Sequence, residues 1–217
     1  MVRRAFCAAV LAATLAILSG AHTPLFAKGE DPRTVDRIAA LVGTDHATAT
    51  RIYNELVFFM RELGQQLGYL AESDDPVDVK DATVKKIIAT YFAGPEARIE
   101  VSLATTGAVT DYPVRVYLHN LARLREREDY TTVDLYWRPN FMLLGEFGVV
   151  PDRPSTYEVS IAATQYFKGV TPEYTYADTT KKVCRVRFTV DRRSGRYRVQ
   201  EILVRQTVRA PEMKLER

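Results

Sequence analysis

Apolar residues follow a helical period over most of the first half of this chain and alternate with polar residues over much of the second half. Between residues 45 and 70 they recur every three or four positions, and from residue 130 onward they alternate in several separate runs. A sheet with one apolar face needs a layer of helices to cover it. We therefore predict an α+β fold in which N-terminal helices pack on a strongly curved antiparallel sheet.

The N-terminus has the pattern of an export signal. Two arginines precede an apolar run at residues 5–18, which ends in the small residues 19–21. That run is too short to cross a bilayer as a stable anchor, although a retained signal anchor is the alternative. We predict a secretory signal peptide at residues 1–27, or cleavage after Ala21, and hence a periplasmic or extracellular protein. No later apolar run is long enough to cross a membrane.

Three helices are predicted before the first strand. An extra N-terminal helix begins at Asp31 and Pro32 and closes at Gly43, within an extension at residues 28–44. The other two are expected at residues 45–70 and 79–93. Gly64 and Gly68 lie within the second helix, where each costs about 1 kcal/mol relative to alanine, so we expect a bend or a close helix contact there.

The rest of the main domain, at residues 45–210, is predicted to be mostly strands. A strand at 97–103 and a helix at 113–124 precede strands at 130–138, 142–150, 156–167, 182–190 and 196–208, and residues 211–217 form a tail. The turn-rich segment 191–195 predicts a hairpin between the last two strands. The apolar phase changes within the last strand, which predicts a β-bulge near Gln200 and Glu201.

The cysteines exclude an internal disulfide in the mature chain. Cys7 lies within the predicted signal, which leaves only Cys184. Cys184 alternates with Val186, Phe188 and Val190, so we predict a buried structural thiol rather than a nucleophile.

The charge is distributed unevenly along the chain. Residues 28–180 hold 16 Lys and Arg against 23 Asp and Glu, whereas residues 181–217 hold 12 against 4. The basic strand pair is a candidate anion-binding or partner-binding surface, formed by Arg185, Arg187, Arg196 and Arg198. Alternatively, these arginines neutralise acidic groups of the same molecule. An acidic protein is the expected partner, and nucleic acid is not expected.

No motif specifies a catalytic chemistry. The sequence has no zinc-ligand spacing, no phosphate-binding loop, no dinucleotide glycine fingerprint and no serine-hydrolase elbow. His119 has no evident acid or ligand partner, and Asp134 and Glu146 are expected to face water. We therefore predict no catalytic residue, no metal and no cofactor.

Aromatic residues suggest a pocket for a small hydrophobic ligand. Trp137 shares a strand face with Val133 and Leu135, and other aromatic side chains are expected in the same interior. Simple filling of the core by these side chains is the alternative. The candidate ligand-pocket residues are Tyr91, Tyr117, Trp137, Phe147, Tyr157 and Phe188.

The order of elements resembles the nuclear transport factor 2-like superfamily, including its polyketide-cyclase-like branch. The resemblance spans residues 45–208 and is carried by the helix end at 87–94, the strand at 99–103, the helix at 114–124 and the later strands. It implies a curved sheet that forms a cone around the helices. Enzymes of this superfamily tend to place an Asp or His base inside the cone with Tyr or Asp donors.

The function expected from these features is an exported, non-enzymatic domain that binds a ligand or a protein. The first alternative is an isomerase, dehydratase or hydrolase of the same fold acting on a small hydrophobic substrate. The second is a structural homodimer formed through the exposed sheet face.

Overall fold

The structure is a computed structural model, which describes residues 32–102, 104–153, 155–190, 196–209 and 213–214, with the backbone alone at residues 32, 140–147 and 213–214. The predicted signal at residues 1–27 and the predicted hairpin turn at residues 191–195 lie outside the described residues.

Among the described residues, five helices pack against a strongly curled mixed sheet that forms a half-barrel, which confirms the predicted α+β class. The helices are α1 (Pro32–Val42), α2 (His46–Glu72), α3 (Val77–Tyr91), α4 (Val114–Ala122) and α5 (Leu124–Arg127). The strands are β1 (Arg98–Ser102), β2 (Val109–Pro113), β3 (Thr132–Val149), β4 (Thr156–Val170), β5 (Tyr174–Thr189), β6 (Tyr197–Arg209) and β7 (Met213–Lys214).

The strand order is β2-β1-β6-β5-β4-β3, and β7 pairs with β5. All of these pairs are antiparallel except β1 with β6, which makes the sheet mixed rather than purely antiparallel. Alternation of apolar residues predicts that a segment is a strand, but it does not indicate whether the neighbouring strand runs parallel or antiparallel.

The observed strands differ from the predicted ones in three respects. The two strands predicted at 130–138 and 142–150 are one strand, β3, whose register with β4 shifts between Asn140 and Phe147. A register shift moves the side-chain phase, so a continuous strand reads in the sequence as two. The prediction missed β2, and it began β5 at Lys182 rather than at Tyr174 because polar side chains interrupt the apolar alternation there.

The predicted bulge in the last strand is confirmed. Arg185 of β5 pairs with Glu201, whereas the next residue, Val186, pairs with Val199. Gln200 is therefore the extra residue of the bulge.

Helix α2 is the central support of the sheet. Its N-cap is Asp45, whose Oδ1 accepts a hydrogen bond from the backbone N–H of Thr48 at 2.8 Å. The preceding α1 ends at Gly43, whose φ of +68° favours glycine, and it contributes the buried Val35 and Ile38 to the shared core.

The helix glycines mark a close contact, as predicted, and the structure shows that the partner is a strand. A Cβ at Gly64 would lie 2.8 Å from Trp137 Cβ, and a Cβ at Gly68 would lie 2.7 Å from the carbonyl oxygen of Leu135. Both neighbours belong to β3, so only residues without a side chain let α2 approach this strand.

The C-terminal residue of α2 also binds the sheet, because Glu72 Oε1 accepts the backbone N–H of Leu135 at 2.9 Å. We expect Glu72→Ala to lower the free energy of unfolding by about 1–2 kcal/mol, since this N–H loses its acceptor. Glu72→Gln keeps an acceptor oxygen and should lose less than half as much in urea denaturation. Equal losses in the two variants would contradict a role for this hydrogen bond.

Candidate functional site

Four polar side chains occupy every second position of β5 and lie on the face of the sheet that the helices cover. They continue the phase of the buried core residues Cys184 and Phe188. Thr180, Asp178 and Lys182 are 2%, 8% and 3% exposed. We call this set the polar column; its members are Tyr176, Asp178, Thr180 and Lys182.

Lys182 is the buried cation of the polar column. Its Nζ donates a hydrogen bond to the carbonyl oxygen of Glu100 at 3.0 Å. The same Nζ lies 5.9 Å from the ring centroid of Tyr117 and 5.7 Å from that of Trp137. Removal from water disfavours the charged form and lowers the pKa of Lys182 to about 8.

Lys182 has no acidic side chain as a direct partner. Within the described part of the chain, no carboxylate oxygen comes within 4.0 Å of its Nζ. The carboxylate of Glu100 is directed elsewhere, since its Oε2 accepts the backbone N–H of Val204 at 2.7 Å. The two rings give the ammonium partial compensation through their π faces.

Asp178 is the buried acid of the polar column. The hydroxyl of Tyr176 donates to its Oδ2 at 2.8 Å, and the hydroxyl of Thr180 donates to its Oδ1 at 3.4 Å. Burial raises the pKa of Asp178 above the ordinary value, against the opposing effect of these hydrogen bonds.

Two further polar atoms on neighbouring strands are buried without a hydrogen-bond partner among the described residues: Trp137 Nε1 and Gln165 Oε1. Trp137 of β3 pairs with Gln165 of β4, and Gln165 pairs with Thr180 of β5. The donor Trp137 Nε1 and the acceptor Gln165 Oε1 therefore lie in one row of paired residues across the sheet, and this row meets the polar column at Thr180. Buried polar groups in folded proteins are nearly always hydrogen-bonded, so an ordered water or a ligand is expected beside these two atoms.

The structure places five of the six predicted pocket residues in two groups. Tyr117 and Trp137 lie beside Lys182, whereas the side chain of Phe147 is outside the described set. The other three belong to a row of rings whose neighbouring centroids are 5.4–5.8 Å apart, in the order Tyr91, Phe59, Tyr197, Phe188, Tyr157.

The four predicted basic residues make contacts within the molecule. Arg185 pairs with Glu158 and Glu201, at 3.3 and 2.8 Å, and Arg187 pairs with Glu158 at 2.7 Å. Arg196 pairs with Glu55 at 2.5 Å, and Arg198 donates to the carbonyl oxygen of Thr90 at 2.9 Å. These contacts favour the alternative that the basic strands neutralise acidic groups of the same chain.

The remaining residues considered in the sequence lie in ordinary structural positions. Cys184 is fully buried, as predicted, and burial raises the pKa of its thiol to about 12. Asp134 faces water as expected, while the side chain of Glu146 is outside the described set. His119 Nδ1 lies 3.2 Å from Asp81 Oδ1 on the helical surface, so the histidine has an acid partner that the sequence did not reveal.

The described residues contain no group of three or more His, Cys, Asp or Glu side chains that could hold a metal ion. None of the helices in the described part of the chain has the length and apolar character that a bilayer crossing requires.

The polar column was not predicted from the sequence, although a signal for it exists. Cys184, Val186 and Phe188 define the buried phase of β5, and counting back by two from Cys184 gives Lys182, Thr180 and Asp178. Polar residues in the buried phase of a strand point either to a strand end or to a site. The prediction assumed a strand end.

Comparison with known proteins assigns no family. No family model and no curated protein matches this chain. Among solved structures, the chain is similar to Aln2 from a Streptomyces species, with 18% sequence identity over 71% of this chain and 89% of that one and a TM-score of 0.38.

Proposed function

We propose that this protein is an exported domain of nuclear transport factor 2-like architecture that binds a small carboxylate ligand against Lys182. One observation carries the proposal: a buried ammonium group has no carboxylate within ion-pair distance among the described residues. The order of helices and strands supports the architecture, and the pattern of residues 1–27 supports export.

The charge of Lys182 favours an anionic ligand. The ammonium group loses hydration energy on burial, and the cation–π contacts, together with the carboxylates of Asp178 and Glu100 acting from beyond 4.0 Å, return only part of it. A bound carboxylate would bring a negative charge into ion-pair distance and would stabilise the folded state increasingly as its concentration rises above the dissociation constant.

The neighbouring groups restrict the ligand further. An ammonium group has three donors, of which one is directed to Glu100, and Trp137 Nε1 is a further donor without a partner among the described residues. Gln165 Oε1 is the matching unpaired acceptor. The rings of Tyr117 and Trp137 would contact an apolar body, so the ligand class is a small carboxylic acid with a compact apolar part.

Thermal unfolding in the presence of acetate, butyrate or benzoate tests this proposal, with acetamide, butyramide and benzamide as neutral counterparts. At least one carboxylate is expected to raise the melting temperature progressively with its concentration, while its amide has no effect. The increase should disappear in Lys182→Met and persist in Lys181→Met, because Lys181 is the exposed neighbour on the opposite face of β5. Equal effects of acid and amide, or retention of the effect in Lys182→Met, would refute the proposal.

A second candidate function is an enzyme that uses Asp178 as a general base. The specific observation is a buried carboxylate of raised pKa that accepts a hydrogen bond from the hydroxyl of Tyr176. Such an enzyme would remove an α-proton of bound acetate or butyrate with the Asp178 carboxylate and return a deuteron from D₂O, so the ligand would gain deuterium at its α-carbon. Exchange that is lost in Asp178→Asn while binding is retained would favour this candidate, and absence of exchange in the wild type would exclude it for the ligands tested.

A further inference from the structure

A second potential binding site lies outside the polar column. An open groove of about 790 Å³ runs between α2 and the start of β6, and we call it the α2 groove. One wall is a stripe along α2, formed by Ala47, Arg51, Asn54, Phe58 and Glu62. The opposite wall contains residues 90–91 and 196–198, and none of the polar-column residues lines the groove.

The α2 groove is elongated. Its helical wall extends from Ala47 to Glu62, and these fifteen helical steps correspond to about 23 Å at 1.5 Å per residue. An extended peptide covers this length with about seven residues. A long groove with mixed polar and apolar walls suits a peptide segment better than a compact ligand, which is usually held in a largely enclosed and apolar pocket.

An exposed aromatic side chain provides the apolar contact. Phe58 is 64% exposed, although it is a large apolar residue on a core helix. Beside it, the ring of Phe59 packs between Tyr91 and Tyr197 at 5.5 and 5.6 Å. Phe58 differs from a singly exposed apolar residue in that it lines the α2 groove together with Phe59, Tyr91 and Tyr197, so a partner in the groove would bury its ring.

The charges along the groove favour an acidic partner. Three arginines and two glutamates line it, namely Arg51, Arg196, Arg198, Glu55 and Glu62, which gives a formal charge of +1. Both glutamates already accept hydrogen bonds from the molecule itself.

Glu55 accepts from Arg196 at 2.5 Å and from the hydroxyl of Tyr197 at 2.8 Å, and Glu62 accepts from the hydroxyl of Tyr91 at 3.4 Å. The guanidinium group of Arg51, in contrast, has no hydrogen-bond or ion-pair partner among the described residues. A negative charge on a partner would therefore meet an available guanidinium group at Arg51.

We propose that the α2 groove binds an extended acidic peptide segment that carries a large apolar residue, with Phe58 as the apolar anchor and Arg51 as the contact for its acidic side chain. This site is independent of the ligand at Lys182, because the two share no residue.

Selection of a random heptapeptide library displayed on phage tests this proposal, with the purified protein immobilised as bait. The wild type is expected to enrich peptides that combine Asp or Glu with Leu, Phe or Trp. A synthetic copy of the most enriched peptide should bind at least tenfold more weakly to Phe58→Ala and to Arg51→Glu. Tyr69→Ala is the matched control, since Tyr69 is 49% exposed on the same helix and does not line the groove.

Circular dichroism of each variant separates lost binding from lost folding, and both replaced side chains are exposed. Enrichment of basic peptides, or enrichment that does not depend on Phe58, would overturn the proposal. Light scattering that shows a dimer dependent on Phe58 would also overturn it, because the occupant would then be a second copy of this chain.

Discussion

The free energy of unfolding is expected to rise by about 2 kcal/mol between pH 7 and pH 9.5 through Lys182 alone. The pKa of Lys182 is about 8 in the folded protein, below its ordinary value of 10.5. Between these two values the unfolded chain binds more protons than the folded one, so stability increases with pH. Below pH 8 both states are protonated, and the full cost of the buried charge is present.

The matched variant for this prediction is Lys182→Met, which removes the charge and keeps a long side chain. Urea denaturation should show that the pH dependence of the wild type exceeds that of the variant by about 2 kcal/mol over this range. The variant should also be at least as stable as the wild type at pH 7, because an uncompensated buried charge destabilises the folded state. Parallel pH profiles of the two proteins would contradict burial of the ammonium group.

Gly68→Ala is expected to lower the free energy of unfolding by about 1–3 kcal/mol, although alanine is the better helix former. The new Cβ would lie 2.7 Å from the carbonyl oxygen of Leu135, a contact that real Cβ atoms essentially never make. Backbone cannot rotate away as a flexible side chain can, so α2 and β3 must separate along their contact.

Gly94→Ala is the control for this substitution, because no atom lies within 4 Å of a Cβ placed at Gly94. Its effect on urea denaturation should be small. A stabilised Gly68→Ala variant would mean that α2 does not approach β3 closely. Gly64→Ala should lose stability as well, since its Cβ would lie 2.8 Å from Trp137 Cβ.

Much of the architecture could be predicted from apolar spacing alone. The period along α2 and the alternation along β4 and β6 report which side chains are buried, so those elements were found nearly at their true positions. The bulge at Gln200 was predictable because the apolar phase changes there.

The prediction failed where a buried position does not carry an apolar residue, or where the strand pairing is not encoded in the apolar pattern. Because the register shifts between Asn140 and Phe147, the single strand β3 was predicted as two strands. The parallel pairing of β1 with β6 could not be predicted, because the alternation of apolar residues does not depend on the direction of the neighbouring strand. Lys182 and Asp178 are charged residues at buried positions of β5, and the sequence analysis interpreted them as lying beyond the end of the strand.

The candidate site was only partly predictable for the same reason. Tyr117 and Trp137 were expected in a ligand pocket, and the structure places both beside Lys182, but the cation itself was not anticipated. The α2 groove depends on the approach of β6 to α2, two elements separated by more than a hundred residues, and no local pattern reports such a contact.

The most direct test of carboxylate binding at Lys182 is the pKa of this residue, measured by NMR on protein labelled with ¹⁵N-lysine, with and without a bound carboxylate. The signal is assigned by its absence in Lys182→Met, and the ligand is the tightest binder among acetate, butyrate and benzoate. We predict a pKa near 8 in the free protein and an increase of at least about one unit when the carboxylate binds. An ordinary pKa of about 10.5 in the free protein, or a depressed pKa that no carboxylate raises, would contradict this prediction.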